Sequence, residues 1–134
     1  MDFRSFMNAS AEDIEAMARA TLEGLPRHFS QHLGDIVLQV QDYADAETLA
    51  AVGLTHREQL SGIYQGIPLH LKSIEQSGTL PDRIKLFRKP ILSEWRQRGD
   101  ISLEQLVAHV TIHEVGHHFG LSDDDMHALE DAAD

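Results

Sequence analysis

The chain has no cysteine. That absence removes a disulfide framework, a thiolate metal site and a cysteine nucleophile, and it leaves histidine and carboxylate as the side chains able to carry a metal. Basic residues are also scarce. Eleven Lys and Arg stand against 22 Asp and Glu, a formal net charge of −11, which opposes binding to nucleic acid or to an anionic membrane surface. No apolar run approaches the length of a membrane span, and the start, Met1-Asp2-Phe3-Arg4-Ser5-Phe6, lacks the basic segment and apolar run of a secretory signal. The expectation is a cytoplasmic protein with neither nucleic acid nor membrane as partner. There is no repeat, low-complexity tract or linker. With 134 residues and 42% hydrophobic content, residues 1–134 fit a single domain with a modest core and exclude a separate substrate domain.

The few basic residues are unevenly spread. Arg83, Lys85, Arg88, Lys89, Arg96 and Arg98 fall in one short segment, and Asp123, Asp124, Asp125, Glu130, Asp131 and Asp134 crowd the C-terminus. The basic segment reads as a solvated strand face and helix end rather than a phosphate groove, and the acidic one as a helix start and a source of solubility.

Periodicity organises the chain into alternating helical and strand segments. Ser10 followed by Asp13 resembles a capping pair, and Ile14, Met17, Ala18, Thr21, Leu22 and Leu25 recur at helical spacing up to Gly24 and Pro26. Residues 36–40 form a β-branched apolar run that suits a buried strand. Residues 41–62 carry no clear period. Gly62, Gly66 and Pro68 punctuate short strands or a hairpin around Ile63-Tyr64 and Ile67–Leu71. Ile84–Phe87 alternates as a half-buried strand, and Pro90 opens a short helix ending near Gly99. Ser102 with Gln105 caps a helix predicted over about 103–119, with Leu103, Leu106, Val107 and Val110 on its core side and Gly120 at its stop. A last helix over about 124–132 packs Met126 and Leu129 onto the body.

The long helix carries the chemistry. Residues 113–117 read His113-Glu114-Val115-Gly116-His117, and residues four apart share one helix face, so two imidazoles aim at one point with Glu114 beside them. Three protein ligands and one open position make a catalytic zinc site. Asp123 lies six residues past His117, beyond the Gly120 turn, at a spacing that suits a third ligand. Water on zinc ionises near neutral pH, and a carboxylate beside the first ligand can take its proton and deliver it to a leaving amine. The implied reaction is peptide-bond hydrolysis with Glu114 as general base.

Nine histidines raise the odds of a chance HExxH match, but the match here sits in a capped helix of suitable length with Gly120 and Asp123 downstream. Alternatives remain for the third ligand. Asp123 could cap the last helix, leaving Asp124, Asp125 or His127 to bind metal. His109 reads as a surface histidine or an outer partner, since a closed four-ligand site would lose its open position. His118, a quarter turn from His117, reads as a partly buried or exposed neighbour without a metal role. Tyr64 and His70 read as packing residues, with an oxyanion role only if their loop approaches the metal.

The run Ile112–His127, together with Gly62–Leu69, Leu80–Ile84 and Pro90-Ile91-Leu92 in the same order, resembles the small bacterial zincin-like metallopeptidase family, whose motif is HExxHxxGxxD. The resemblance spans most of the chain. It implies an α+β minimal zincin-like fold: a small mixed β-sheet packed against helices, with the central HExxH helix beneath the edge strand. Carried over by position, it makes His113, His117 and Asp123 the ligands of one Zn2+ ion, another divalent metal being the alternative, and Glu114 the base. A peptide or protein substrate in extended form is the implied partner. Family members often carry Thr and Arg where this chain has His70 and Lys72, which puts any substrate role of that arginine in doubt. Only eleven residues follow Asp123, so the expected cleft is shallow, Met126 is core rather than part of a downstream turn, and activity is weak or latent.

Two other classes compete. A metal-dependent endoribonuclease can also place H-x3-H on a helix, but needs no Glu after the first His and calls for a basic surface. A metal-stabilised binding module would keep the ion for structure alone. Replacement of Glu114 separates that module from the hydrolase.

Overall fold

The computed structural model describes residues 9–31, 33, 36–66 and 82–133, with the side chains of His28, Asp123, Ala132 and Ala133 excepted. The expected strand over Ile67–Leu71, His70 and Lys72 lie outside the described residues.

Among the described residues three strands form a mixed sheet in the order β1-β3-β2. Strand β1 (Val37–Gln41) runs parallel to the central β3 (Arg83–Phe87), and β2 (Gly62–Gln65) runs antiparallel to β3 on the other side. Helix α1 (Ala11–Glu23) begins at a capping box in which the Asp13 N–H donates to Ser10 Oγ at 3.1 Å and the Ser10 N–H to Asp13 at 3.0 Å. A short helix α2 (Arg27–Ser30), absent from the sequence expectation, follows Pro26.

The stretch over 41–62, which carries no periodic signal, holds α3 (Ala46–Ala51) and a 3-10 turn at Arg57–Gln59. Asp45 caps α3, accepting from the Thr48 N–H at 2.7 Å. Helix α4 (Arg88–Arg98) starts two residues before Pro90, which sits within the first turn, where its missing N–H costs nothing. Gly99 ends it in the left-handed region at φ 70°.

The main core lies between one sheet face and the helices. Leu38, Ile84 and Leu86 point inward from the strands and meet Ile14 and Ala18 of α1 and Leu103, Leu106, Val107 and Val110 of α5 (Leu103–Phe119), all buried. Four α5 side chains expected on the core side are therefore there. Alternation sends Phe87 to the opposite face, where it packs with Ala44 and Leu49 in a second, smaller cluster. Arg88 ties the pieces together. Its Nε donates to the Ala9 carbonyl and its guanidinium lies 3.3 Å from Asp42, joining the start of α4 to the entrance of α1 and the end of β1. Last comes α6 (Asp123–Ala133), with Met126 and Leu129 buried against the body as expected. The architecture is α+β, a small mixed sheet on helices with α5 at its centre. No helix among the described residues is long and apolar enough to cross a membrane.

Candidate metal centre

Helix α5 is fixed at both ends. At its start the Gln105 N–H donates to Ser102 Oγ at 3.1 Å and the Ser102 N–H to Gln105 Oε1 at 3.0 Å. At its end Gly120 takes φ 68° and ψ 32°, and the Leu121 N–H reaches back to the Gly116 carbonyl at 2.8 Å. The reversed chain then enters α6 through a second box, in which the Asp125 N–H donates to Ser122 Oγ at 3.2 Å and the Ser122 N–H to Asp125 Oδ2 at 3.5 Å. Ser122 and Asp125 thus fill the capping role that the sequence left open to Asp123. Asp123 stands at the first helical position of α6.

Two adjacent stripes of α5 divide the labour. His109, His113 and His117 follow one another at four-residue intervals on the outer stripe. His109 Nδ1 lies 2.9 and 3.1 Å from the two carboxylate oxygens of Glu130 on α6, and its ring packs 4.6 Å from that of His113. Glu130 therefore holds His109 against the expected first ligand. The His117 side chain is 56% exposed, with Nδ1 3.2 Å from Glu114 Oε1.

The second stripe, Val110, Glu114 and His118, faces β2. Gly62 has no side chain because none fits: a Cβ there would lie 2.8 Å from Val110 Cγ1. One turn on, the carboxylate of Glu114 lies beside the backbone N–H of Tyr64, which favours its charged form. Strand phase explains why that N–H is available. The Phe87 N–H donates to the Ser61 carbonyl, so with the register Ile63↔Lys85 and Gln65↔Arg83 the odd-numbered residues bond to β3, and Gly62 and Tyr64 face away from it. Glu114 is only 7% exposed. Burial pushes its carboxyl above the ordinary value of 4.5, opposed by His117 and by the Tyr64 N–H.

One further turn brings His118, 2% exposed, to a cluster the sequence reading missed. His118 Nδ1 lies 3.2 Å from the Tyr64 hydroxyl and 3.4 Å from Asp82 Oδ2, and the two rings meet edge-on at 5.6 Å. The Tyr64 hydroxyl also lies close to Asp82; burial, then the Asp82 charge, raises its pKa. His118 is thus a fully buried, bonded residue, which corrects its reading as a partly buried or exposed neighbour, and Tyr64 does more than pack. A local signal existed for His118, which lies four residues past Glu114 on a core-facing stripe. Its partners lie 54 and 36 positions away, beyond any local pattern.

Among the described residues no three His, Asp or Glu side chains gather as a metal cluster. The chemistry of the donor set nonetheless suits a divalent metal: two imidazoles one turn apart, one of them largely open to solvent, beside a buried carboxylate. Three of the six clustered basic residues are engaged by neighbouring groups. Arg88 is spent on Ala9 and Asp42, Arg96 bonds the Leu92 carbonyl, and Arg98 lies between Glu94 and Asp100. A hollow of about 290 Å³ flanks the neighbouring α5 residues Ala108 and Ile112 and meets the histidine stripe only through Glu130.

No curated protein matches the chain. A family model described as zincin-like metallopeptidase matches residues 33–133, which takes in the sheet, α5 with its HExxH run and all of α6, and the chain belongs to that family.

Proposed function

We propose that the protein is a zinc-dependent metallopeptidase in which His113, His117 and Asp123 hold the ion and Glu114 is the general base. The observation that carries the reading is the placement of Glu114: buried under β2, on the side of that strand turned away from β3, with its carboxyl raised by desolvation, and one residue from His113. A zinc ion bound there supplies Lewis acidity, lowering the pKa of water towards neutrality and polarising a substrate carbonyl. Glu114 receives the proton of the attacking water on its carboxylate and returns it to the departing amine. The backbone groups of Gly62 and the carbonyl of Tyr64, which face away from β3, offer an extended peptide a partner for strand addition, which would carry the scissile bond past the histidine stripe. His109 and Glu130 steady the His113 ring. The exposure of His117 fits an open, shallow cleft and substrates that are flexible.

The test is Glu114→Gln in the zinc-loaded protein. The variant is expected to keep one zinc per chain and to lose about 10²–10⁴-fold in kcat on peptide substrates, the usual contribution of a general base. Undiminished cleavage overturns the mechanism. Zinc retained with no cleavage by the parent protein supports a metal-stabilised binding module instead.

A further inference from the structure

We propose that Asp82, His118 and Tyr64 form a positioning unit for Glu114, fixing strand β2 so that the Tyr64 backbone N–H stays on the Glu114 carboxylate. The proposal deepens the metallopeptidase reading and rests on it for its catalytic consequence.

The geometry is a chain of constraints that begins in the sheet. The carbonyl of Asp82 accepts the Val37 N–H at 2.9 Å, which locks its backbone to the parallel β1–β3 pair. Its carboxylate is 7% exposed and meets both the Tyr64 hydroxyl and His118 Nδ1. The arrangement that serves all three has the tyrosine O–H and the histidine Nδ1–H both donating to the carboxylate. Gly66 closes over it: a Cβ there would fall 2.2 Å from Asp82 Oδ1 and 3.0 Å from the Tyr64 hydroxyl. On the helix side, His118 is wedged between Tyr64 and Phe119, whose ring lies 5.0 Å away, and Phe119 in turn meets Phe29 at 5.2 Å. Tyr64 is therefore held at its hydroxyl end by His118 and Asp82, while the strand phase turns its amide away from β3, beside Glu114.

A core asked only for stability does not need these groups. A buried carboxylate and imidazole cost desolvation, and apolar residues of similar volume are often equally stable or more so. What Asp82 and His118 provide, and Leu or Phe would not, is a directional hold on one side chain of β2. Among the described residues that strand has four residues and one strand neighbour, β3, and the Gly62–Val110 contact lets it approach α5 closely. Positional control at Tyr64 translates directly into the direction of the Glu114 carboxylate, because the N–H and the hydroxyl belong to one residue.

The experiment uses the full chain with Tyr64→Phe, His118→Leu and His118→Asn, the last restoring a donor near the place of Nδ1. In metal-free protein the hydrogen exchange of the Tyr64 amide is followed by NMR. It is expected to speed at least tenfold in Tyr64→Phe and His118→Leu and to return towards the parent rate in His118→Asn, while the Gln39 amide of β1, which faces β3, stays unchanged. In zinc-loaded protein the same two variants are expected to lose about tenfold in kcat with KM and zinc stoichiometry preserved. Tyr64→Phe removes one atom, so it remains informative if His118→Leu fails to fold. An unchanged Tyr64 amide in Tyr64→Phe overturns the proposal, whatever the activity. A loosened amide in a family of proteins that cleaves no peptide supports the positioning unit and refutes the peptidase reading, so the two failures are distinct.

Discussion

Gly116 is where the histidine helix is most closely approached, and its replacement gives a sharp test of how α6 seats on α5. A Cβ at Gly116 would lie 2.2 Å from Met126 Sδ, 2.5 Å from its Cγ and 3.3 Å from its Cε. Nonbonded heavy atoms settle at about 3.5–4.0 Å, so roughly an ångström or more has to be made up at two atoms. Met126 is 5% exposed and Cγ is one bond from its Cβ, so rotation of the side-chain tip does not relieve the clash and α6 itself has to shift. Two effects oppose each other in Gly116→Ala. Alanine gains about 1 kcal/mol over glycine inside a helix, while overpacking a filled site costs about 1–3 kcal/mol. The expected net is a destabilisation of about 1 kcal/mol. Met126→Ala alone should cost about 2–5 kcal/mol through the cavity it leaves. In the double variant the new methyl enters that cavity, the clash disappears and the helical gain remains, so the pair should fall short of the sum of the singles by at least about 1 kcal/mol. Urea unfolding of the four metal-free proteins measures the cycle. Additivity within about 0.5 kcal/mol, or a Gly116→Ala protein more stable than its parent, refutes the packing described.

Glu114→Gln should also change the pH dependence of stability in the metal-free protein. Burial raises the Glu114 carboxyl above 4.5, so the folded chain holds that proton more tightly than the unfolded chain. Its contribution is fully present below the ordinary value and is lost as pH rises through the folded one. Glutamine escapes that loss, so the variant should match the parent at acid pH and exceed it at neutral pH in chemical denaturation; a gap that narrows with rising pH contradicts the assignment. Asp123→Asn should weaken zinc binding by a competitive-chelator assay while Asp124→Asn should not; equal effects would remove Asp123 as third ligand. Ser122→Ala, which deletes the α6 cap, should cost about 1 kcal/mol in thermal or urea unfolding. Gly62→Ala should cost about 1–3 kcal/mol by overpacking Val110, and a smaller cost in the Val110→Ala background would identify that contact as the cause.

Local signals in the sequence were reliable where the cause of structure is itself local. Ser10 with Asp13 and Ser102 with Gln105 form the capping boxes their spacing implies, and α5 spans the predicted 103–119 because cap, stop glycine and apolar period agree. Pattern reading lost α3, a six-residue helix started by Asp45 and too short to show a period. It placed the start of α4 at Pro90, although proline is as comfortable inside a first turn as at its first position. The site divides the same way. His113, Glu114 and His117 are legible because i, i+1 and i+4 on a helix determine their mutual arrangement. The Glu114–Tyr64 and His118–Asp82 pairs come from the packing of β2 and β3 over α5, and no spacing in a single chain encodes that.

Two stripes on one helix also resolve a conflict in what the proposed reaction asks of its residues. Ligand imidazoles need access to an ion and a substrate, whereas a carboxylate is a stronger base when water is kept from it. His117 is more than half exposed and Glu114 almost wholly buried, yet they lie three residues apart and touch at 3.2 Å. A rotation of about 100° between successive helical residues makes that possible, provided something covers the second stripe and leaves the first open. The cover is β2, admitted close to the helix by Gly62 and held there through Tyr64. In the proposed reaction a strand in this position is part of the base as much as it is a platform for peptide, and substitutions that lift it should damage proton transfer before they damage zinc binding.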